Sequence, residues 1–101
     1  MKNILKNINK VFENRIRLAI MSILVVNEQV EFKQLKEILS LTDGNLASHI
    51  KALEKTDYIV TNKEFVGRKP RTTYQATKKG RDAFRKHIEA LETLIKQQGD
   101  L

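Results

Sequence analysis

Twice along the chain the spacing of apolar residues changes period, and these two switches restrict the fold more than any other feature. From Leu5 to Leu53, apart from a brief stretch at residues 29–32, apolar residues recur three and four apart, as in helices that bury one face. After Lys55-Thr56-Asp57 the residues become β-branched and aromatic, which predicts one strand over residues 58–66 and its partner over 72–77. Gly67-Arg68-Lys69-Pro70-Arg71 forms the link, with glycine starting the turn and Pro70 stiffening it. From Thr77, a good N-cap, helical spacing returns: Phe84, Ile88, Leu91 and Ile95 fall at i, i+4, i+7 and i+11 of a helix running to about Gln98. Strands this short do not stand alone in water as a hairpin, so they must pack on the helices.

The helical part divides at its capping residues. Leu5, Ile8 and Phe12 belong to a short leading helix, and Asn14 caps a buried helix over about residues 14–27. Val30 and Phe32 share one side of a brief strand over residues 29–32, and a helix over 33–39 turns Leu35, Ile38 and Leu39 inward. Thr42 then caps a helix over 43–55. At about 100° per residue, Leu46, Ile50 and Leu53 make its buried arc, while Gly44, Ser48, Lys51 and Lys55 point outward with Asn45 and Ala52 on a shoulder. Small side chains on that face let the backbone approach another surface closely.

The length, 101 residues, is that of one domain, and a chain 41% apolar and 31% charged has the balance of a globular protein. No apolar run approaches the ~20 residues of a membrane span, and a cytoplasmic location is expected. Without cysteine there is no disulfide, thiolate metal site or cysteine nucleophile, and His49 and His87 stand apart from any set with metal-ligand or nucleophile spacing. Neither a catalytic site, a metal nor a cofactor is expected. A net charge of +7 and a pI near 9.8 favour a polyanionic partner. Residues 67–81 concentrate that charge, with six basic residues and no acid, and Lys78 and Lys79 oppose the dipole of the helix they open, so they are better placed beside an anion.

Helix, short strand, helix, turn, helix, hairpin, long helix is the order of a mainly α chain with a small β-hairpin (α+β): a winged helix-turn-helix with additional N- and C-terminal helices, in one domain over residues 1–101. The segments "LKEILSLTDGNLASHIKALEKTDYI" and "FVGRKPRTTYQATKKGRDAF" resemble the small stand-alone winged-helix regulators related to the MarR and ArsR families of prokaryotic transcription factors. That resemblance implies a recognition helix at 43–55 that begins at Thr42, itself counted among the DNA-binding residues, with Asp43, Gly44, Asn45 and Ser48 toward bases and His49 and Lys51 toward the sugar-phosphate backbone. Arg68, Lys69, Arg71 and Thr72 would form the wing contacts.

Each position also has a purely structural reading. Thr42 caps its helix, and Asp43 complements the helix dipole. Gly44, which costs about 1 kcal/mol relative to alanine in a helix, serves a close approach either to DNA or to the preceding helix. His49 is either a backbone contact or a satisfied, half-buried histidine. Apolar stripes on the terminal helices, Leu5, Ile8 and Phe12 with Phe84, Ile88, Leu91 and Ile95, are expected to be covered in a two-fold dimer, with residues 78–98 as the dimerisation helix. An effector, if one binds, is expected in an apolar crevice at that interface. The function expected is a homodimeric, sequence-specific DNA-binding transcription regulator, acting as a repressor on an inverted-repeat operator. The alternatives are a winged-helix protein-interaction module and a non-specific architectural nucleic-acid-binding protein.

Overall fold

A computed structural model describes residues 5–99. After a turn at residues 5–8, a short 3-10 helix, Lys10–Phe12, leads into α1, Arg15–Leu24. The short leading helix expected from Leu5, Ile8 and Phe12 is thus a turn and this single 3-10 segment, because Asn9 and Asn14 each interrupt the backbone with a cap. Asn9 Oδ1 accepts from Val11 N–H, and Asn14 Oδ1 accepts from the N–H groups of Ile16 and Arg17. β1 is Val30–Glu31 and α2 is Phe32–Leu39, so Phe32 opens the helix where a strand residue was expected. Gln34 fixes that start by accepting from Glu31 N–H at 2.9 Å.

α3, Asp43–Lys55, follows a turn in which Ser40 takes left-handed backbone, φ 52°. Asp57, φ 61°, does the same after α3, where Asp57 N–H bonds Glu54 O and Tyr58 N–H bonds Leu53 O. Those paired bonds satisfy carbonyls at the helix end as a Schellman motif does, with aspartate in the position glycine usually holds. β2, Ile59–Val66, and β3, Lys69–Ala76, form the hairpin, and α4 runs over Lys78–Gln97. The sheet has three antiparallel strands in the order β1-β3-β2, so the brief first strand closes the inner edge of the hairpin. Registers run from Ile59 opposite Ala76 to Val66 opposite Lys69, with Val30 opposite Tyr74.

The five-residue link expected at 67–71 is a two-residue turn, Gly67-Arg68, with φ +65° at Gly67 alone, the pattern of a type II′ hairpin turn. Lys69, Pro70 and Arg71 continue as strand, Pro70 directly opposite Phe65. The hairpin sits at the end of the sheet beyond β1, where a strand edge lacks a neighbour and tolerates a residue without an N–H.

Ile20, Met21 and Leu24 of α1, Leu35 of α2, Leu46, Ile50 and Leu53 of α3, Val30, Ile59 and Tyr74 of the sheet, and Phe12 make the core. Phe12 is 2% exposed: its ring stacks on Tyr58 and meets Phe84 edge-on at 5.4 Å. This corrects the expectation that Phe12 belongs to a dimer surface, since its own chain already covers it; Phe84, packed against the core, is largely taken up in the same way. Asn9 completes this junction, donating its N–H to His87 Nδ1 at 3.0 Å and its Nδ2 to Tyr58 Oη at 2.9 Å.

The start of α4 is locked to the base of the hairpin. Thr77 Oγ1 accepts from Gly80 N–H at 2.9 Å and donates to Asp57 O at 2.6 Å, while Thr77 N–H bonds Tyr58 O at 3.0 Å. A Cβ on Gly80 would overlap the Tyr58 carbonyl, so the closeness of the helix to this backbone requires glycine.

Candidate nucleic-acid interface

The buried arc of α3 holds the helix in the core and leaves Thr42, Asp43, Gly44, Asn45, Ala47, Ser48 and Lys51 exposed along the other side. Thr42 Oγ1 accepts from Asn45 N–H at 3.2 Å, so it is the cap, with its hydroxyl proton still available to a partner. Asp43 pairs with Lys36 Nζ at 2.8 Å, tying the first turn of α3 to α2. Around Gly44 a Cβ would meet nothing within 4 Å. Close approach to the preceding helix, one of the two reasons weighed for glycine there, is therefore removed.

Gly44, Ala47, Ser48, Lys51 and Lys55 form one wall of a groove of about 640 Å³ whose other wall is Thr61 and Lys63 of β2. Ala47 and Lys63 were not singled out as site residues in the sequence. Strand alternation was the available signal for Lys63, because Ile59 faces the core and Thr61 and Lys63 follow it at period two. Glu54 also lines the groove, held by Thr61 Oγ1 at 2.7 Å, and it joins burial in pushing the Tyr74 hydroxyl above its usual range, burial having the larger effect. Asn45 lies on the other flank, in a small concavity shared with Arg15, Ile16 and Ala19 of α1 and Leu41 of the turn.

His49 is half-buried, its Nδ1 3.4 Å from Arg17 Nη1, and Arg17 Nε donates to Val11 O at 2.7 Å. Burial first, and then the Arg17 charge, lower the His49 pKa below its ordinary value. The ring is packed against an arginine, and its half-exposed edge is compatible with either of the two readings.

The wing is less positive in space than in sequence. Arg71 lies between two carboxylates, its Nε 3.1 Å from Glu31 Oε1 without hydrogen-bond alignment and its Nη1 3.6 Å from Glu64 Oε1. Antiparallel register places Glu64 directly opposite Arg71, and β1 brings Glu31 alongside. Its charge is balanced within the chain, and its position braces the hairpin against the rest of the sheet. Thr72 is half-buried opposite Lys63. Lys78 likewise has its anion, Asp82 Oδ2 at 3.1 Å; that hydrogen bond is the largest of the effects lowering the Asp82 pKa. Lys79 Nζ lies 5.9 Å from the Tyr58 ring centroid. Among the described residues, Arg68 and Lys69 form no ion pair within 4 Å, so they remain as the unbalanced cations of the tip.

Residues 16–95 match the family model of a winged helix DNA-binding domain. An uncharacterised protein of Methanocaldococcus jannaschii is 39% identical over 87 residues, covering 86% of this chain and 95% of its own length. The structure of a transcriptional regulator homologue from Pyrococcus horikoshii superposes with a TM-score of 0.84 at 34% identity, over 97% of this chain and 94% of that one. The reduced form of the transcriptional regulator YodB from Bacillus subtilis shares the fold at 19% identity and a TM-score of 0.70, over 89% of this chain and 86% of that one. A Porphyromonas gingivalis protein assigned to the MarR family of transcriptional regulators shares it at 19% identity and 0.67, over 91% and 86%. With the helix pair, the capped third helix and the paired hairpin all in place, the chain belongs to the winged helix DNA-binding domain family and has the fold of a DNA-binding transcriptional regulator.

Proposed function

We propose that this protein is a homodimeric, sequence-specific DNA-binding regulator that represses transcription from the cytoplasm by occupying an inverted-repeat operator. The observation that carries this reading is the outer face of α3. It is exposed, small and basic, it contains a glycine that no neighbour within the chain requires, and it continues through one groove to the wing. A major groove ~12 Å wide admits one helix, and small side chains let that helix seat deeply. Asn45 and Ser48 supply polar groups for base edges, Lys51, Lys55 and Lys63 line the groove where a phosphate strand would run, and Arg68 and Lys69 reach the flank. Phosphate neutralisation supplies most of the affinity and the α3 face most of the specificity.

Dimerisation falls to the distal half of α4 with Leu5 and Ile8. Ile95 is 73% exposed and Leu5 62%, and Ile88, Leu91 and Leu94 lie half-buried along the same helix. An apolar stripe left in this state is what a second copy covers.

Selection of bound sequences from a random duplex pool tests the reading. Two half-sites related by a two-fold axis, about one helical turn or ~34 Å apart, are expected, and placing the site over a promoter should reduce transcription in vitro. Equal retention of all duplexes overturns sequence specificity, and no retention even at low salt overturns DNA binding itself.

A further inference from the structure

β1 pairs with β3 only where Val30 faces Tyr74 and Glu31 faces Thr73. After Glu31 the chain turns into α2, so residues 69–72 of β3 keep one edge without a strand neighbour. The slot left there is a cleft of about 510 Å³, within the usual size of a small-molecule site. Phe32, Val66, Pro70 and Tyr74 give it an apolar lining, with the rings of Phe32 and Tyr74 tilted at 6.5 Å and Val66 56% exposed. Register sets Val66, Lys69 and Arg71 on one face of the hairpin, and Lys33 joins the lining from the first turn of α2.

Two observations say what the slot lacks. Among the described residues, Arg71 Nε is the buried side-chain polar atom without a hydrogen-bond partner, since Glu31 Oε1 lies 3.1 Å away but out of line. The lining also sets three cations, Lys33, Lys69 and Arg71, against the carboxylate of Glu31. Glu64 reaches Arg71 from outside the lining and leaves the balance positive, because Lys33 and Lys69 form no ion pair within 4 Å among the described residues. An anion answers both observations. A bare phosphate group would leave the apolar lining unused, and a peptide strand added to this edge would meet Pro70, which offers no N–H.

We propose that this slot binds a small organic carboxylate. Its oxygens take Lys33, Lys69 and the free Nε–H of Arg71, and its apolar body lies on Phe32, Val66 and Pro70. The site stands apart from α4 and does not depend on the DNA-binding function proposed above. The hairpin supplies Val66, Lys69 and Arg71 while β1 and α2 supply Glu31, Phe32 and Lys33, so an occupant ties the hairpin to the body of the domain.

Heteronuclear NMR titrations of the isotope-labelled full chain at constant ionic strength test the site, with benzoate and hexanoate as probes and benzyl alcohol and inorganic phosphate as comparisons. A carboxylate probe should give saturable shifts at residues 31–33 and 66–74, half-complete at about 1 mM or below. It should also move the Arg71 Nε–H resonance, which Arg71→Lys removes and thereby identifies. Lys33→Gln and Val66→Ser, both at exposed positions, should each weaken that binding about fivefold and leave the melting temperature in place. Shifts by phosphate as large as those by either carboxylate reduce the slot to a patch of cations and overturn the proposal. Equal shifts by benzyl alcohol reduce it to an apolar surface and overturn it too. The proposal also fails if neither carboxylate gives saturable shifts, if the Arg71 Nε–H stays unmoved, or if both exposed variants bind as wild type does. Those two variants carry the test should Arg71→Lys weaken the fold.

Discussion

Gly44 separates what the fold needs from what the proposed DNA contact would need. It occupies the first turn of α3, where alanine is the better helix former by about 0.5 to 1 kcal/mol, and a Cβ there meets no atom of the chain within 4 Å. Gly44→Ala should therefore raise resistance to urea. The same methyl stands on the face proposed to enter the major groove, so on that proposal affinity for the selected duplex should fall, by about tenfold for every 1.4 kcal/mol of steric conflict. Undiminished affinity would remove Gly44 from the contact surface. Gly80 is the opposite case, because its lack of a side chain is required by Tyr58 within the chain itself. Charge shows the same division. Arg71 is expected as a wing contact among neighbouring basic residues, and in the fold it also has Glu31 and Glu64 within 4 Å. A run of basic residues in sequence does not reveal which acids the strand register will set beside each of them.

At the scale of elements, the segment around Asn9 and Phe12 is fastened to α4 through a titratable group. His87 is 3% exposed, accepts from Asn9 N–H, and lies 5.4 Å from the Phe12 ring centroid. Burial lowers its pKa, outweighing the nearby Glu13 charge, which acts to raise it. The folded chain thus binds the His87 proton less readily than the unfolded one, whose histidine titrates near 6.5. Stability from this junction is fully present above that pH and declines as pH falls from it toward the lowered folded value. Wild type should melt at a lower temperature at pH 5.5 than at pH 7.5, and His87→Gln, which retains an acceptor without a titration, should lose less over that interval. His49, shifted in the same direction, accounts for part of the remaining decline. An identical decline in His87→Gln would exclude the junction as a source of the pH dependence. The helices were legible in the sequence because caps and 3.6-residue spacing are local signals: Asn14, Thr42 and Thr77 all cap where expected. The hairpin turn was less so, because Pro70 looks like a loop residue until the missing strand neighbour at that edge is known. Phe12 misled for a related reason, since an apolar spacing shows that a face is covered and not which surface covers it.

For the whole molecule, the proposed dimer is what covers the distal half of α4. Ile88→Glu/Leu91→Glu/Ile95→Glu should sediment as a monomer and bind a single half-site with the two-site gain lost, while an unaltered dimer would place the interface elsewhere. These residues lie beyond the Phe12–Phe84 contact, so the variant's core remains intact. The junction at Gly80 then acquires a mechanical meaning. Thr77 bonds to Asp57 and Tyr58, and Tyr58 lies against Gly80, so the first turn of α4 is bolted to the residues that end α3. There is little slack between the helix that would pair the subunits and the helix that would read the sequence. In the proposed dimer, a tilt of one α4 against its mate turns the two α3 helices like the jaws of a caliper, and the gap between the jaws decides whether both half-sites can be gripped at once.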